Sequence, residues 1–341
     1  MKNENDSIEY RIVKDKISEY ASPDNIVYIK ENSELDKIKG VSYSDLTSST
    51  PSITKYVLSP WLPEQGIAFI YAATGVGKTL FTMNVAYSIA NGGSFLKYSA
   101  PLPRKVLYID GEMAFNQVHS RFINIVKEQG ELFFPENWCL LTPDKVLPFR
   151  LPKICDSIGQ DFYNKFIERE KIAVLVIDNL SMLSAIDENK SEDWKPVQDW
   201  LLYLRSKGLS IIIVHHAGKN KEGYRGTSRM LDCVDTAISL QDLFEENIES
   251  DDVKIKKIKV KYSKSRSFGG EDALPFEIYI LKNKWSFRAI ERTNIDLVVE
   301  RLKLGMTQKD ISIELKFSRP YISKLTKKAK KDGLLNSLID S

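Results

Sequence analysis

The chain is poor in cysteine and histidine and has no long hydrophobic run. Three cysteines among 341 residues, Cys139, Cys155 and Cys233, stand far apart without C-x-x-C spacing. That argues against a disulfide framework or a zinc site and suits a reducing cytosol. Only three histidines are present, two of them adjacent at His215 and His216. Successive strand residues point to opposite faces, so this pair cannot chelate one ion together. No apolar run approaches the roughly 20 residues of a membrane span. The start, Met1-Lys2-Asn3-Glu4-Asn5-Asp6, has no hydrophobic signal core. A soluble, cytoplasmic protein with no membrane association is expected, and no internal repeat is visible.

What is present is ample core material: 43% hydrophobic and 28% charged residues, enough for two or three domains. Net charge is only +3, but residues 289–341 carry 11 Lys/Arg against 7 Asp/Glu, which leaves the rest at −1. A basic tail behind a near-neutral body points to nucleic acid, although a solvated helical face has the same composition. Residues 1–50 read as a charged arm ending in a polar linker, Ser42 to Pro51.

From Gly66 onward, apolar strands and helices alternate. Buried strands are expected at Gly66–Tyr71, Lys105–Ile109, Ala173–Ile177 and Ser210–Val214, with a short one at Trp138–Leu141. Helices are expected at Phe115–Glu128, Ile154–Glu170 and Trp194–Lys207. Continuous apolar strands separated by helices predict an α/β fold with a mostly parallel central sheet. After Asp235 the pattern changes to strands joined by turns, which predicts an antiparallel edge.

The strand at Gly66 runs into Tyr71-Ala72-Ala73-Thr74-Gly75-Val76-Gly77-Lys78-Thr79-Leu80, with a helical pattern behind it. Strand, glycine-bearing turn, Gly-Lys-Thr and helix make a P-loop. Backbone N–H groups from Ala73 to Leu80 would wrap a polyphosphate at a helix N-terminus. Lys78 would reach the β- and γ-phosphates of ATP, and Thr79 would offer a hydroxyl to Mg²⁺. The pattern G-x-x-x-x-G-K-[ST] has alanine, Ala72, in place of its first glycine, which is tolerable at negative φ.

Two acids sit at later strand ends. Ile177-Asp178-Asn179 has a Walker B arrangement, so Asp178 is expected to hold Mg²⁺. Within Asp110-Gly111-Glu112-Met113, Glu112 is the candidate general base and Asp110 a supporting acid. One histidine of the His215–His216 pair is expected to sense the γ-phosphate while the other packs or caps. The loop Lys219–Ser228 is basic, either contacting DNA through Lys219 and Arg225 or serving as an exposed connection. Lys264 and Arg266, two apart at a strand end, share a face and can reach a phosphate of a neighbouring subunit. Lys254, Lys256 and Lys257 read as edge-strand lysines that block aggregation.

Taken together, Tyr71–Thr79, Asp110–Met113, Asp178-Asn179-Leu180, Asp187-Glu188-Asn189, His215–Lys219, Arg225–Ser228 and Lys264-Ser265-Arg266 resemble a RecA-like P-loop ATPase. Within that group the set is most similar to the RepA-type plasmid helicases, relatives of the DnaB-type hexameric helicases, over residues 55–288. The resemblance implies a ring, a hexamer, with ATP between subunits. It implies Glu112 as catalytic glutamate, His216 as γ-phosphate sensor, and Lys264 and Arg266 as fingers acting in trans. It also implies a place for the 217–230 loop near a central channel. The long region before Pro51 departs from the family.

Residues 289–341 read as a separate all-α module after an ATPase domain over 51–288. Thr307-Gln308-Lys309-Asp310 is a capping box and Ser318 can cap a further helix. Ile322, Leu325 and Ala329 form that helix's buried stripe, with Arg319, Ser323, Lys324, Lys327 and Lys328 largely outside it as DNA-contact candidates. The arrangement resembles a helix-turn-helix, with Lys316 where a glycine often makes the turn. A small bundle that docks subunits is the alternative.

The expected function is Mg²⁺-dependent ATP hydrolysis driving work on DNA, as a replicative helicase or loader of a plasmid, phage or integrated element. An ATP-controlled, oligomeric DNA-binding switch that does not unwind is the second reading. A third, a DNA-binding regulator with a relic P-loop, is opposed by the intact Lys78, Thr79, Glu112 and Asp178.

Overall fold

Apolar strands occupy the centre of the chain. The computed structural model describes residues 39–48, 54–129, 135–184, 186–187, 190–218, 224, 226, 228–243, 249–250, 253–290 and 293–335. Among them, one sheet is built from β1 (Ile67–Ala72), β2 (Val106–Asp110), β3 (Trp138–Leu141), β4 (Val174–Asp178), β5 (Ser210–His216), β6 (Thr236–Asp242), β7 (Lys256–Ser265), β8 (Phe276–Leu281) and β9 (Lys284–Ala289). The spatial order is β9-β8-β7-β6-β1-β5-β4-β2-β3. Every residue of β1, β2 and β4 is buried. Burial on both faces selects continuous apolar runs over alternating ones.

Helices α1 (Tyr43–Ser48), α2 (Lys78–Asn91), α3 (Phe115–Gln129), α4 (Ser157–Glu170), α5 (Leu180–Leu183) and α6 (Ser191–Ser206) accompany the sheet. On one face Ala68, Ile70 and Ala72 of β1 share a core with Phe81, Met83 and Val85 of α2 and Val118 and Ile125 of α3. On the other face Ile67, Phe69 and Tyr71 pack with Tyr163 of α4 and Trp194, Val197, Trp200 and Leu204 of α6. Full burial of a large apolar side chain contributes about 1.5–3 kcal/mol. The period-2 alternation of β1 therefore holds helices on both sides.

Two expectations are corrected. β6 pairs in parallel with β1, Thr236 opposite Ala68, so the switch to antiparallel pairing comes one strand later than the change of pattern after Asp235. β7 is internal, antiparallel to both β6 and β8. Lys256 and Lys257, which lie in it, are therefore not edge protection, whereas Lys254 lies in a separate short strand, Val253–Lys254. Within the expected linker, residues 43–48 form α1, started by Ser42, whose backbone N–H donates to Asp45.

The chain divides into two units, Met1–Phe287 and Arg288–Ser341. In the second, α7 (Asn294–Lys303), α8 (Gln308–Glu314) and α9 (Arg319–Lys331) enclose Val298, Ile311, Ile322 and Ala329. Their caps are Thr293, Thr307 and Ser318, each accepting from a backbone N–H three residues on. Lys316, between α8 and α9, has φ 55°. Among the described residues, no helix is long and apolar enough to cross a membrane.

Candidate functional site

Parallel strands deliver their carboxyl ends to one rim of the sheet, where open α/β sheets place their ligands. Ala72 of β1 lies opposite His216 of β5, and Asp178 of β4 opposite Asp110 of β2. The cavity there, about 220 Å³, is lined by Thr74, Gly75, Gly77, Lys78, Thr79, Asp110, Glu112, Met113, Arg121, Asp178, Asn179 and His216. Five residues separated along the chain by up to 138 positions, Lys78, Glu112, Asp178, Asn179 and His216, thus meet in one place.

The loop is shaped by its two glycines. Gly75 has φ 83° and Gly77, which precedes α2, has φ 110°. Both values lie in the left-handed region, where a side chain would be strained. Ala72 is a buried strand residue at the end of β1, so the first glycine of the motif is dispensable here. Ala73 and Thr74 carry the chain out of the strand, Val76 is buried, and Leu80 lies in the first turn of α2.

Lys78 is 7% exposed. Its Nζ donates to the carbonyls of Ala72 at 3.1 Å and Ala73 at 3.2 Å, and lies 3.4 Å from His216 Nδ1. Burial pulls its pKa down, while the charges of Asp178 and Glu112 oppose the shift. The other ring nitrogen of His216, Nε2, lies 3.5 Å from Asn179 Nδ2. His215 points to the other face, fully buried, with its ring 5.6 Å from that of Phe69.

Asp178 is 4% exposed and accepts from the Tyr108 hydroxyl at 2.5 Å. Burial pushes its pKa up to about 6, with the Asp110 charge adding to the rise. Hydrogen bonds from Tyr108 and Thr79 and the charge of Lys78 pull the other way. Asp110 accepts from the backbone N–H groups of Glu112 at 2.8 Å and Met113 at 2.7 Å. It thereby holds the turn that presents Glu112. Glu112 Oε2 accepts from Asn179 Nδ2 at 2.6 Å. The Asp178–Asn179 peptide bond is cis.

Thr79 and Asp178, already hydrogen-bonded, supply one hydroxyl and one carboxylate to the same spot. Among the described residues, no group of three or more His, Cys, Asp or Glu side chains could hold a metal by itself. That donor set fits Mg²⁺, which takes one or two protein ligands and completes its shell with phosphate and water.

Other expected site residues lie elsewhere. Lys264 and Arg266 are at the far end of β7, level with the amino end of β1. Lys264 Nζ donates to the Leu231 carbonyl, and Arg266 Nη2 to Asp232 O at 3.0 Å. Arg266 also pairs with Asp235 at 3.7 Å. Neither lines the cavity. Lys219 and Arg225 fall outside the described residues, as do Glu188 and Asn189. Arg319, Lys324, Lys327 and Lys328 are exposed on α9, and Ser323 is half-buried.

Sequence reasoning passed over Arg121, Tyr108 and the role of Asn179. Arg121 lies on α3 three residues after the buried Val118, a cation flanking the apolar stripe of the helix that follows Glu112. That position was the available signal. Tyr108 reads only as a strand aromatic until the register brings it beside Asp178.

Residues 31–222 match the model of a family described as an AAA domain. The match includes Lys78, Glu112, Asp178 and His216 and stops short of Lys264 and Arg266. No curated protein matches. Among solved structures, a KaiC-like protein, PH0186, from the hyperthermophilic archaeon Pyrococcus horikoshii OT3 is 14% identical, with a TM-score of 0.49 over 70% of this chain and 100% of its own. The family match spans more than half of the sequence and contains the phosphate cradle together with its acids. The chain belongs to the AAA domain family, as an ATP-binding P-loop ATPase built on an α/β core with a mostly parallel sheet.

Proposed function

We propose that the protein couples Mg²⁺-dependent ATP hydrolysis to work on DNA, as a RepA-type ring helicase or loader. What carries the proposal is the division of charges in the first unit. The phosphate-handling residues converge at one rim of the sheet, while the paired cations Lys264 and Arg266 sit toward the other. A cationic pair remote from its own site is available to a neighbour's phosphates, as a ring of identical subunits, a hexamer, would require. DNA is favoured by the exposed cations of α9, Arg319, Lys324, Lys327 and Lys328, opposite the buried Ile322 and Ala329. The capped helices on either side of Lys316 fit a helix-turn-helix.

In this reading Lys78 and the N–H groups of residues 73–80 hold the phosphates. Thr79 and Asp178 would hold Mg²⁺, which would supply positive charge to offset that of the phosphates. Water attacks the γ-phosphorus and gives its proton to Glu112 Oε1, and ADP leaves through its β-phosphate oxygen. Asn179 orients the base through Oε2. Arg121 and Lys78, both lining the cavity, offset charge, and His216 registers the γ-phosphate. A neighbour's Arg266 and Lys264 complete the site, an addition worth about 10³–10⁵ in rate for fingers of this kind.

A forked-DNA unwinding assay run with a mass-resolved oligomeric state tests the reading. ATP-dependent strand separation by a ring, lost in Lys78→Ala, is the expected outcome. Hydrolysis by an assembly that separates no strands at any ATP level would leave the second reading, an ATP-controlled DNA-binding switch. That reading is favoured by the C-terminal helices forming a unit of their own.

A further inference from the structure

β7 begins beside the phosphate loop. Its Ile258 and Val260 face the α2 side of the sheet, in the core that holds Val76, and Ile258 Cδ1 lies 3.9 Å from where a Cβ on Gly77 would be. Lys256, two residues before Ile258, faces the same way by strand alternation. Its Nζ donates to the carbonyl oxygen of Gly75 at 2.6 Å and lies 3.8 Å from Asp242 Oδ2 at the end of β6. This lysine is outside the phosphate cavity and belongs to none of the motifs that define it.

We propose that Lys256 is a positioning residue of the nucleotide site, fixing the orientation of the Gly75–Val76 peptide. The peptide unit is planar and trans, so anchoring its oxygen also anchors the N–H of Val76 pointing the opposite way. That N–H is one of the donors a phosphate-cradling loop supplies. It lies between two glycines at positive φ, the part of the loop with the greatest backbone freedom. Val76 N–H has only a long contact of 3.4 Å to Ala73 O in its own turn. A charge-assisted hydrogen bond from outside the loop supplies the constraint the glycines do not. The ammonium also draws electron density through the same amide, which makes the Val76 N–H a better donor to an anion.

The inference rests on the ATP-binding reading of the loop, so the experiment separates the two. ATP and ADP affinities of the full chain are measured by calorimetry for wild type, Lys78→Ala, Lys256→Met and Lys256→Arg, together with kcat, KM and melting temperature. Loss of one charge-assisted bond predicts about tenfold weaker binding in Lys256→Met. The loss should be similar for ATP and ADP, because both carry the α- and β-phosphates that the loop wraps. KM should rise while kcat stays within about twofold, the melting temperature should be unchanged, and Lys256→Arg should restore most of the affinity. Unchanged nucleotide affinity in Lys256→Met overturns the proposal. So does a loss confined to ATP, which would make Lys256 a direct γ-phosphate ligand, and so does failure of Lys256→Arg to rescue. A wild type that binds neither nucleotide, indistinguishable from Lys78→Ala, instead overturns the reading of the site itself.

Discussion

Asp178 shows most plainly how the site balances charge against burial. Its carboxyl is enclosed, its pKa is pushed up to about 6, and three neighbours recover part of the desolvation cost. A folded-state pKa above the unfolded value of 3.8 means that the folded state holds the proton more tightly. The protein free of metal and nucleotide should therefore lose stability as pH rises from about 4 to about 6 and keep that penalty above it. Asp178→Asn removes the penalty. It should stabilise the ligand-free protein at pH 8 by about 1–3 kcal/mol and by much less at pH 4, read from denaturant midpoints at the two pH values. The same variant should lose ATP hydrolysis. At Glu112 the expectation runs the other way. Glu112→Gln keeps the shape and the Asn179 contact but cannot take the water's proton. Its kcat should fall by about 10²–10⁴ while ATP binding stays close to wild type, measured by turnover and calorimetry.

At the scale of elements, short connections decide what the long ones only support. Lys316 occupies a left-handed turn between α8 and α9 at φ 55°. Lys316→Gly should relieve about 1 kcal/mol of backbone strain and raise the melting temperature of the C-terminal unit. An unchanged or lowered melting temperature would mean that the turn is not strained. This turn could be read in the sequence because caps at Thr307 and Ser318 bracket it. The parallel strands were equally legible, since burial on both faces writes continuous apolar runs. β6 shows the limit: its residues 236–240 look the same whether they pair in parallel with β1 or begin an antiparallel edge. The register of β7 was hidden for a related reason. Ala237 opposes Lys264 while Ile238 opposes Tyr262, so Ser263 is an extra residue in the ladder. A single inserted residue turns everything beyond it to the other face. Tyr262 packs on the α2 side, whereas Lys264 reaches Leu231 on the α6 side. Nothing in the spacing of Lys264 and Arg266 announces that turn. The same holds for Lys256, which sequence alone makes one more strand lysine and the fold sets against Gly75.

For the whole molecule, the proposed completion of the site in trans makes a distinctive prediction. Lys78→Ala lacks the cradle's cation and Arg266→Ala lacks the donated one, so each alone should be nearly inactive. Mixed before assembly, they should regain ATPase activity, because some sites then pair an intact cradle with an intact finger. No recovery at any mixing ratio would mean that Arg266 serves its own subunit or none. Removal of residues 288–341, a unit of its own, should leave ATP binding intact and flatten the salt dependence of DNA binding. Unchanged DNA binding would assign α7–α9 to docking. β7 joins these scales. Ten residues at about 3.3 Å each make a rod of roughly 30 Å, clamped by β6 and β8, with Lys256 against its own subunit's loop and Lys264 at the other tip. In the proposed ring such rods would stand between successive nucleotides like the links of a chain, and a protomer carrying both Lys78→Ala and Arg266→Ala would spoil two adjacent sites instead of one. Poisoning by that double variant should then grow faster than its share of the mixture.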